Sequence, residues 1–149
     1  MKILVLNGPN LNLLGQREPE IYGSLSLAEM EKRLKALGSS MGIKVECLQF
    51  NHEGELVEAI QDAGAKGVGV ILNAGAYTHT SVALRDAVAG SRAIVVEVHL
   101  SNPHAREEFR HISLLSDVCV GLVAGFGWES YVLALHWFMR RNRDKTAAE

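Results

Sequence analysis

Short apolar runs rich in branched residues alternate along the chain with stretches whose apolar residues recur at helical spacing, and this alternation constrains the fold more than any other feature. Ile3 to Leu6 is a continuous apolar run, as expected of a strand buried on both faces. Ser26 to Met41 follows with Leu27, Met30, Leu34, Leu37 and Met41 on one helical face; a Ser26-x-x-Glu29 capping box opens it and Gly42 closes it. Ile43 to Phe50 is a second strand, Glu55 to Ala63, closed by Gly64, a second helix, and Gly67 to Leu72 a third strand. Thr80 to Ala89, ended by Gly90, is helical, and Ala93 to Val98 is a fourth strand. Pro103 to His111 is expected to be a short charged helix, Val118 to Val123 a fifth strand and Ser130 to Arg143 the last helix, with a disordered tail over 144–149.

Strands separated by helices imply a parallel sheet with right-handed crossovers and helices on both faces. Five such strands in 149 residues predict an α/β, flavodoxin-like three-layer sandwich: one domain, 1–149, with a five-stranded parallel sheet in the order 2-1-3-4-5. The chain is too short for a TIM barrel of about 250 residues. At 48% hydrophobic and 21% charged it is not a disordered chain. Fifteen Lys and Arg against seventeen Asp and Glu give no global charge for gripping nucleic acid or an anionic bilayer. The opening apolar run stops at Asn7-Gly8-Pro9-Asn10, short of an export segment, and no stretch approaches the ~20 residues of a membrane helix. A cytoplasmic location is expected, with Cys47 and Cys119 as buried free thiols. The last helix is apolar nearly all round, from Tyr131 to Met139, which fits either subunit packing or core.

In open parallel sheets ligands bind beyond the carboxyl ends of the strands. Those positions are unusually polar here: Asn7-Gly8-Pro9-Asn10, then Asn73-Ala74-Gly75-Ala76-Tyr77-Thr78-His79-Thr80-Ser81, then Glu97-Val98-His99-Leu100-Ser101-Asn102. Asn and Gly are also ordinary turn formers, so the convergence of three such loops carries more weight than any one. Period-two geometry puts Glu97 and His99 on one side of a strand end, where the carboxylate can hold the imidazole in one tautomer for acid–base work. A metal site from Glu97, His99 and His104 or His79 lacks both a paired-histidine helix and any cysteine ligand, so no metal is expected. His52 and His136 have no polar company and are taken as structural. Arg106 and Arg110, four apart on the expected helix, would repel unless an anion lay between them or each paired with Glu107 or Glu108; Arg110 is the preferred anion ligand. The loop from Gly8 to Ser24 carries Arg17 and Tyr22, with glycines at both ends of residues 15–24, as in a mobile lid. A guanidinium beside the phenol favours phenolate, so Tyr22 is a candidate base, although a lid without catalytic duty fits the spacing equally.

Asn7-Gly8-Pro9-Asn10-Leu11-Asn12-Leu13-Leu14-Gly15 with Arg17 and Tyr22, the Asn73 to His79 block, Glu97 to Asn102, Ala105 to Arg110, Gly125-Phe126-Gly127 and Tyr131 together resemble the type II 3-dehydroquinate dehydratases. The blocks match in order from the first strand to the last helix. The resemblance implies a hydro-lyase that reversibly converts 3-dehydroquinate to 3-dehydroshikimate by anti elimination through an enolate, in the shikimate pathway or in quinate breakdown. It also implies no cofactor and a homododecamer built as a tetramer of trimers. By the same resemblance Tyr22 removes the proton beside the C3 ketone, Arg17 keeps it phenolate, and His99, oriented by Glu97, protonates the departing C1 hydroxyl. Asn10 helps fix a water at the enolate oxygen, while Asn73, His79, Asp86, Leu100, Ser101 and Arg110 bind the substrate's hydroxyls and carboxylate.

An elimination through a Schiff base needs a lysine in the pocket, and Lys2, Lys32, Lys35, Lys44, Lys66 and Lys145 fall at strand starts, on helix surfaces or in the tail. Pro103 and Ile112 depart from the residues the family usually carries and bear on the loop near Ser101. The rival from another class is a non-catalytic flavodoxin-like binding or assembly module. Asn7 and Asn73 stand where a phosphate-accepting receiver would want acids, and Gly8-Pro9-Asn10-Leu11 is not a flavin-phosphate loop.

Overall fold

Strand β1 (Lys2–Asn7) lies inside the sheet, with β2 (Lys44–Gln49) on one side and β3 (Gly69–Asn73) on the other. β4 (Val95–His99) and the edge strand β5 (Gly121–Ala124) complete the order β2-β1-β3-β4-β5, every pair parallel. This is the predicted flavodoxin-like topology, seen in a computed structural model that describes residues 1–16, 18–22 and 24–149, with Tyr22 described by its backbone alone. The single-residue alternation of β1 divides the core into two layers. The first helix, α1 (Pro19–Tyr22), is a single turn. Ile3 and Val5 pack with Met30, Leu34, Leu135 and Phe138 from α2 (Leu27–Ser40) and α5 (Glu129–Ala148). Leu4 and Leu6 pack with Leu56, Ile60, Leu84 and Val88 from α3 (Glu53–Lys66) and α4 (Val82–Ser91). Each such side chain, fully buried, contributes about 1.5–3 kcal/mol relative to exposure.

Several boundaries move for identifiable reasons. The Ser26 hydroxyl accepts from the Glu29 amide, so the first long helix starts where the capping pair put it. α3 begins at Glu53, continues through Gly64 and stops at the left-handed Gly67. Gly64 is a close-approach residue rather than a stop: a Cβ there would lie 2.5 Å from the Ser91 carbonyl oxygen of α4. The helix expected over Pro103 to His111 is instead two 3-10 turns, Pro103–Ala105 and Glu108–Arg110. No apolar stripe rewards a longer helix there, and Phe109 is 68% exposed. Pro103 sits comfortably at the first position of its turn, with the Asn102 side chain accepting from the His104 amide. β5 is shorter than expected, and Val118 and Cys119 belong to the turns before it. α5 continues past Arg143 to Ala148; one face joins the core through Tyr131, Leu135 and Phe138, while Leu133 and Trp137 stay at the surface. Both cysteines are free and half-buried, and burial pushes their thiols up to about 12.

Candidate active site

The carboxyl ends of β1, β3 and β4 open onto one cleft, lined by Pro9, Asn10, Leu11, Asn73, Gly75, Ala76, His79, His99, Leu100, Ser101, Pro103, Arg106 and Arg110. It encloses about 590 Å³ counting the part open to solvent. The three polar loops converge because their parent strands are consecutive in the sheet. Gly8 is required at the first bend: its amide donates to the Asn73 carbonyl at 2.8 Å, and a Cβ would lie 2.6 Å from the Ala74 oxygen. Asn10 takes a left-handed backbone, φ 67°, which asparagine tolerates better than most residues. Its amide donates to Asn51 Oδ1 at 3.1 Å.

Glu97 and His99 face the same side of β4, with His99 Nε2 donating to Glu97 Oε2 at 2.6 Å. The carboxylate is 1% exposed and the histidine 8%. Burial alone would push the Glu97 carboxyl up. The hydrogen bond and charge of His99, with hydroxyl donors from Ser116 and Ser113, outweigh that penalty and hold it below the usual carboxylate range. With Nε2 committed to Glu97, Nδ1 is the ring nitrogen left for a ligand in the cleft. His79 is fixed the other way round: its Nδ1 donates to the Ile112 carbonyl at 2.8 Å, leaving Nε2.

Behind the cleft floor lies a buried polar chain. Tyr131 donates to Asn7 Oδ1 at 2.6 Å and accepts from Asn73 Nδ2 at 2.9 Å, while Asn73 Oδ1 accepts from the Gly75 amide at 3.1 Å. Complete burial pushes the Tyr131 phenol well above its ordinary value, so this tyrosine stays a neutral structural link. Asn73 thus anchors the floor of the cleft as well as lining it.

At the rim, Arg110 pairs with Glu107, Nε to Oε2 at 2.6 Å. Arg106 reaches the cleft as well, with its guanidinium 3.4 Å from the Ser101 hydroxyl and 3.9 Å from a Glu18 oxygen. The two arginines share the cleft wall without sharing a helix face. Asp86 is exposed on α4 and does not line this cleft. The roles expected of Arg17 and of the Tyr22 side chain lie outside the described residues. Arg106, weighed in the sequence as an anion ligand but not preferred, lines the cleft beside Arg110. Ser113 and Ser116 carry no signal in the sequence; they lie 16 and 19 residues from the carboxylate they hold, in a segment with no periodic pattern. Among the described residues no group of three or more His, Cys, Asp or Glu is placed to hold a metal ion.

The arrangement defines a class: an α/β protein whose sheet edge carries a carboxylate-held histidine and two arginines, suited to acid–base chemistry on a small anion. The chain belongs to the class II dehydroquinase family, whose pattern it matches over residues 1–139. Among its relatives, the 3-dehydroquinate dehydratase of Rhizobium johnstonii is 56% identical over 134 residues, covering 90% of this chain and 92% of that protein. That of Ruegeria pomeroyi is 58% identical over 135 residues, covering 89% of each. The crystal structure of type II dehydroquinase from Butyrivibrio crossotus superposes with a TM-score of 0.90 at 47% identity, over 92% of this chain and 96% of that one.

Proposed function

We propose that this chain is a hydro-lyase that reversibly dehydrates 3-dehydroquinate to 3-dehydroshikimate by anti elimination through an enolate. The observation that carries the reading is the buried Glu97–His99 pair opening onto a cleft with two arginines, in a chain of the class II dehydroquinase family. The reaction breaks a C2–H bond and the C1–O bond. Tyr22, kept as phenolate by Arg17, takes the C2 proton, the electron pair delocalises onto the C3 oxygen as enolate, and its return expels the C1 hydroxyl. His99, acting as an imidazolium whose Nε2–H stays on Glu97, gives its Nδ1 proton to that hydroxyl, so that water leaves. Positioned acid–base groups of this kind contribute typically 10²–10⁴-fold each. Asn10 fixes a water against the enolate oxygen; Arg110 with the Leu100 and Ser101 backbone and the Ser101 hydroxyl binds the carboxylate; His79 and Asn73 take ring hydroxyls.

The reading keeps Asp86 as a substrate ligand; exposed on α4 and outside this chain's cleft, it would have to reach the cleft of a neighbouring copy. The reading includes a homododecamer built from trimers, supported by the apolar surface left at Val120, Leu122, Phe126, Leu133 and Trp137. It also includes a cytoplasmic setting, supported by two free cysteines. Among the described residues no helix is long and apolar enough to cross a membrane. The lid expected over residues 15–24 falls partly outside the described residues.

The test is to add 3-dehydroquinate and follow enone absorbance, with borohydride present in a parallel reaction. Enone growth insensitive to borohydride is expected. Inactivation by borohydride with substrate would mean an imine route and overturn the enolate scheme; ligand binding without enone would return the chain to a binding module. Light scattering during gel filtration should give about twelve times 16.3 kDa.

A further inference from the structure

The Glu97 carboxylate is held from both sides. Oε2 accepts from His99 at 2.6 Å and from the Ser113 hydroxyl at 3.0 Å; Oε1 accepts from Ser113 at 3.0 Å and from the Ser116 hydroxyl at 2.8 Å. Among the described residues, Oε1 is therefore held by serines alone. A carboxylate 1% exposed needs such donors, because an ionised oxygen left unpaired in the interior costs several kcal/mol. Take Ser116 away and the carboxylate can recover a donor only by turning or by holding a proton of its own, and either change releases His99 Nε2 from its fixed acceptor. Cys119 also feels the Glu97 charge, but its thiol is pushed up to about 12, chiefly by burial, and so offers no charge near neutrality. Ser116 differs from Ser113 in one useful way. Ser113 also accepts from the Leu115 and Ser116 amides and shapes the local turn, whereas the Ser116 hydroxyl bonds to Glu97.

We propose that Ser116, together with Ser113, is a positioning residue for the acid: the two hydroxyls clamp Glu97 so that it takes only Nε2–H of His99, leaving Nδ1 as the nitrogen that takes up the second proton and delivers it in the cleft. The proposal rests on the dehydration reading above and deepens it.

The experiment compares the full-length enzyme with Ser116→Ala and Ser116→Thr, using steady-state kinetics on 3-dehydroquinate and 15N NMR of labelled histidines, with the His99 signal assigned by its loss in His99→Asn. Removing a hydrogen bond to a charged group predicts a roughly tenfold or greater fall in kcat for Ser116→Ala, KM changing less than about twofold. Ser116→Thr, which keeps the hydroxyl, should recover most of the loss. Neutral His99 should be a single Nε2–H tautomer in wild type and Ser116→Thr, and a mixture in Ser116→Ala. Unchanged kcat, or a loss of kcat with an unchanged His99 tautomer and no recovery by threonine, would overturn the proposal. The tautomer readout is independent of turnover, so a wild-type enzyme that leaves 3-dehydroquinate intact would refute the function while the serine clamp was still judged by NMR.

Discussion

Two walls of the cleft are built on different terms. The end of β4 is locked by ladder pairing on both sides, with His99 paired to Ala124 of β5 and Glu97 to both Leu72 and Leu122. Period two decides which face of the sheet each of its side chains takes. The opposite rim, residues 103–110, has no ladder and no apolar stripe, and is held by short turns and ion pairs at the surface. The acid is thus fixed by the fold, and the anion grip is fixed by local side-chain partners. The difference predicts rate losses without binding losses on the first wall and binding losses with smaller rate losses on the second.

The sharpest break in that comparison is His99→Asn, which should lower kcat by about 10²–10⁴-fold while KM stays within a few-fold, as stopped-assay turnover would show. Glu97→Gln comes next, with a kcat loss of roughly 10- to 100-fold if a charge-assisted bond of about 1.5–3 kcal/mol orients the acid. The same variant tests acid stability. The folded Glu97 carboxyl lies below its unfolded value near 4.5, so its contribution is complete above that value and is lost as pH falls through the lower folded one. The wild-type melting temperature should therefore drop more steeply than that of Glu97→Gln below about pH 5. On the rim, Arg110→Ala should raise KM roughly tenfold or more with kcat changed much less, since it removes a charge-assisted grip on the carboxylate. Smallest is Glu107→Gln. It frees Arg110 from an exposed surface pair and should lower KM by roughly two- to threefold. A larger effect there than at Arg110 would mean the rim, too, is a preorganised unit.

How much of this was legible in the sequence follows the same division. The sheet order, the Ser26 cap and the Glu97–His99 pairing are consequences of backbone periodicity, and periodicity is written in the order of residues. Gly64 misled because a glycine needed for close helix approach looks the same as one that ends a helix. Pro103 to His111 misled because charge spacing imitated a helix that had nothing to bury. Ser113 and Ser116 could not be found because their contact with Glu97 depends on how an irregular segment returns to the sheet, which no local pattern encodes. The family resemblance supplied roles for Arg17 and Tyr22 that periodicity could not.

The most direct test of the central claim is a crystal structure of the His99→Asn enzyme with 3-dehydroquinate bound. The account predicts the C1 hydroxyl within about 3 Å of the side chain at position 99, the substrate carboxylate at Arg110 and the Ser101 backbone, and C2 facing Tyr22 from the opposite side of the ring. A ligand whose C3 oxygen or carboxylate occupied the position beside residue 99 would contradict it.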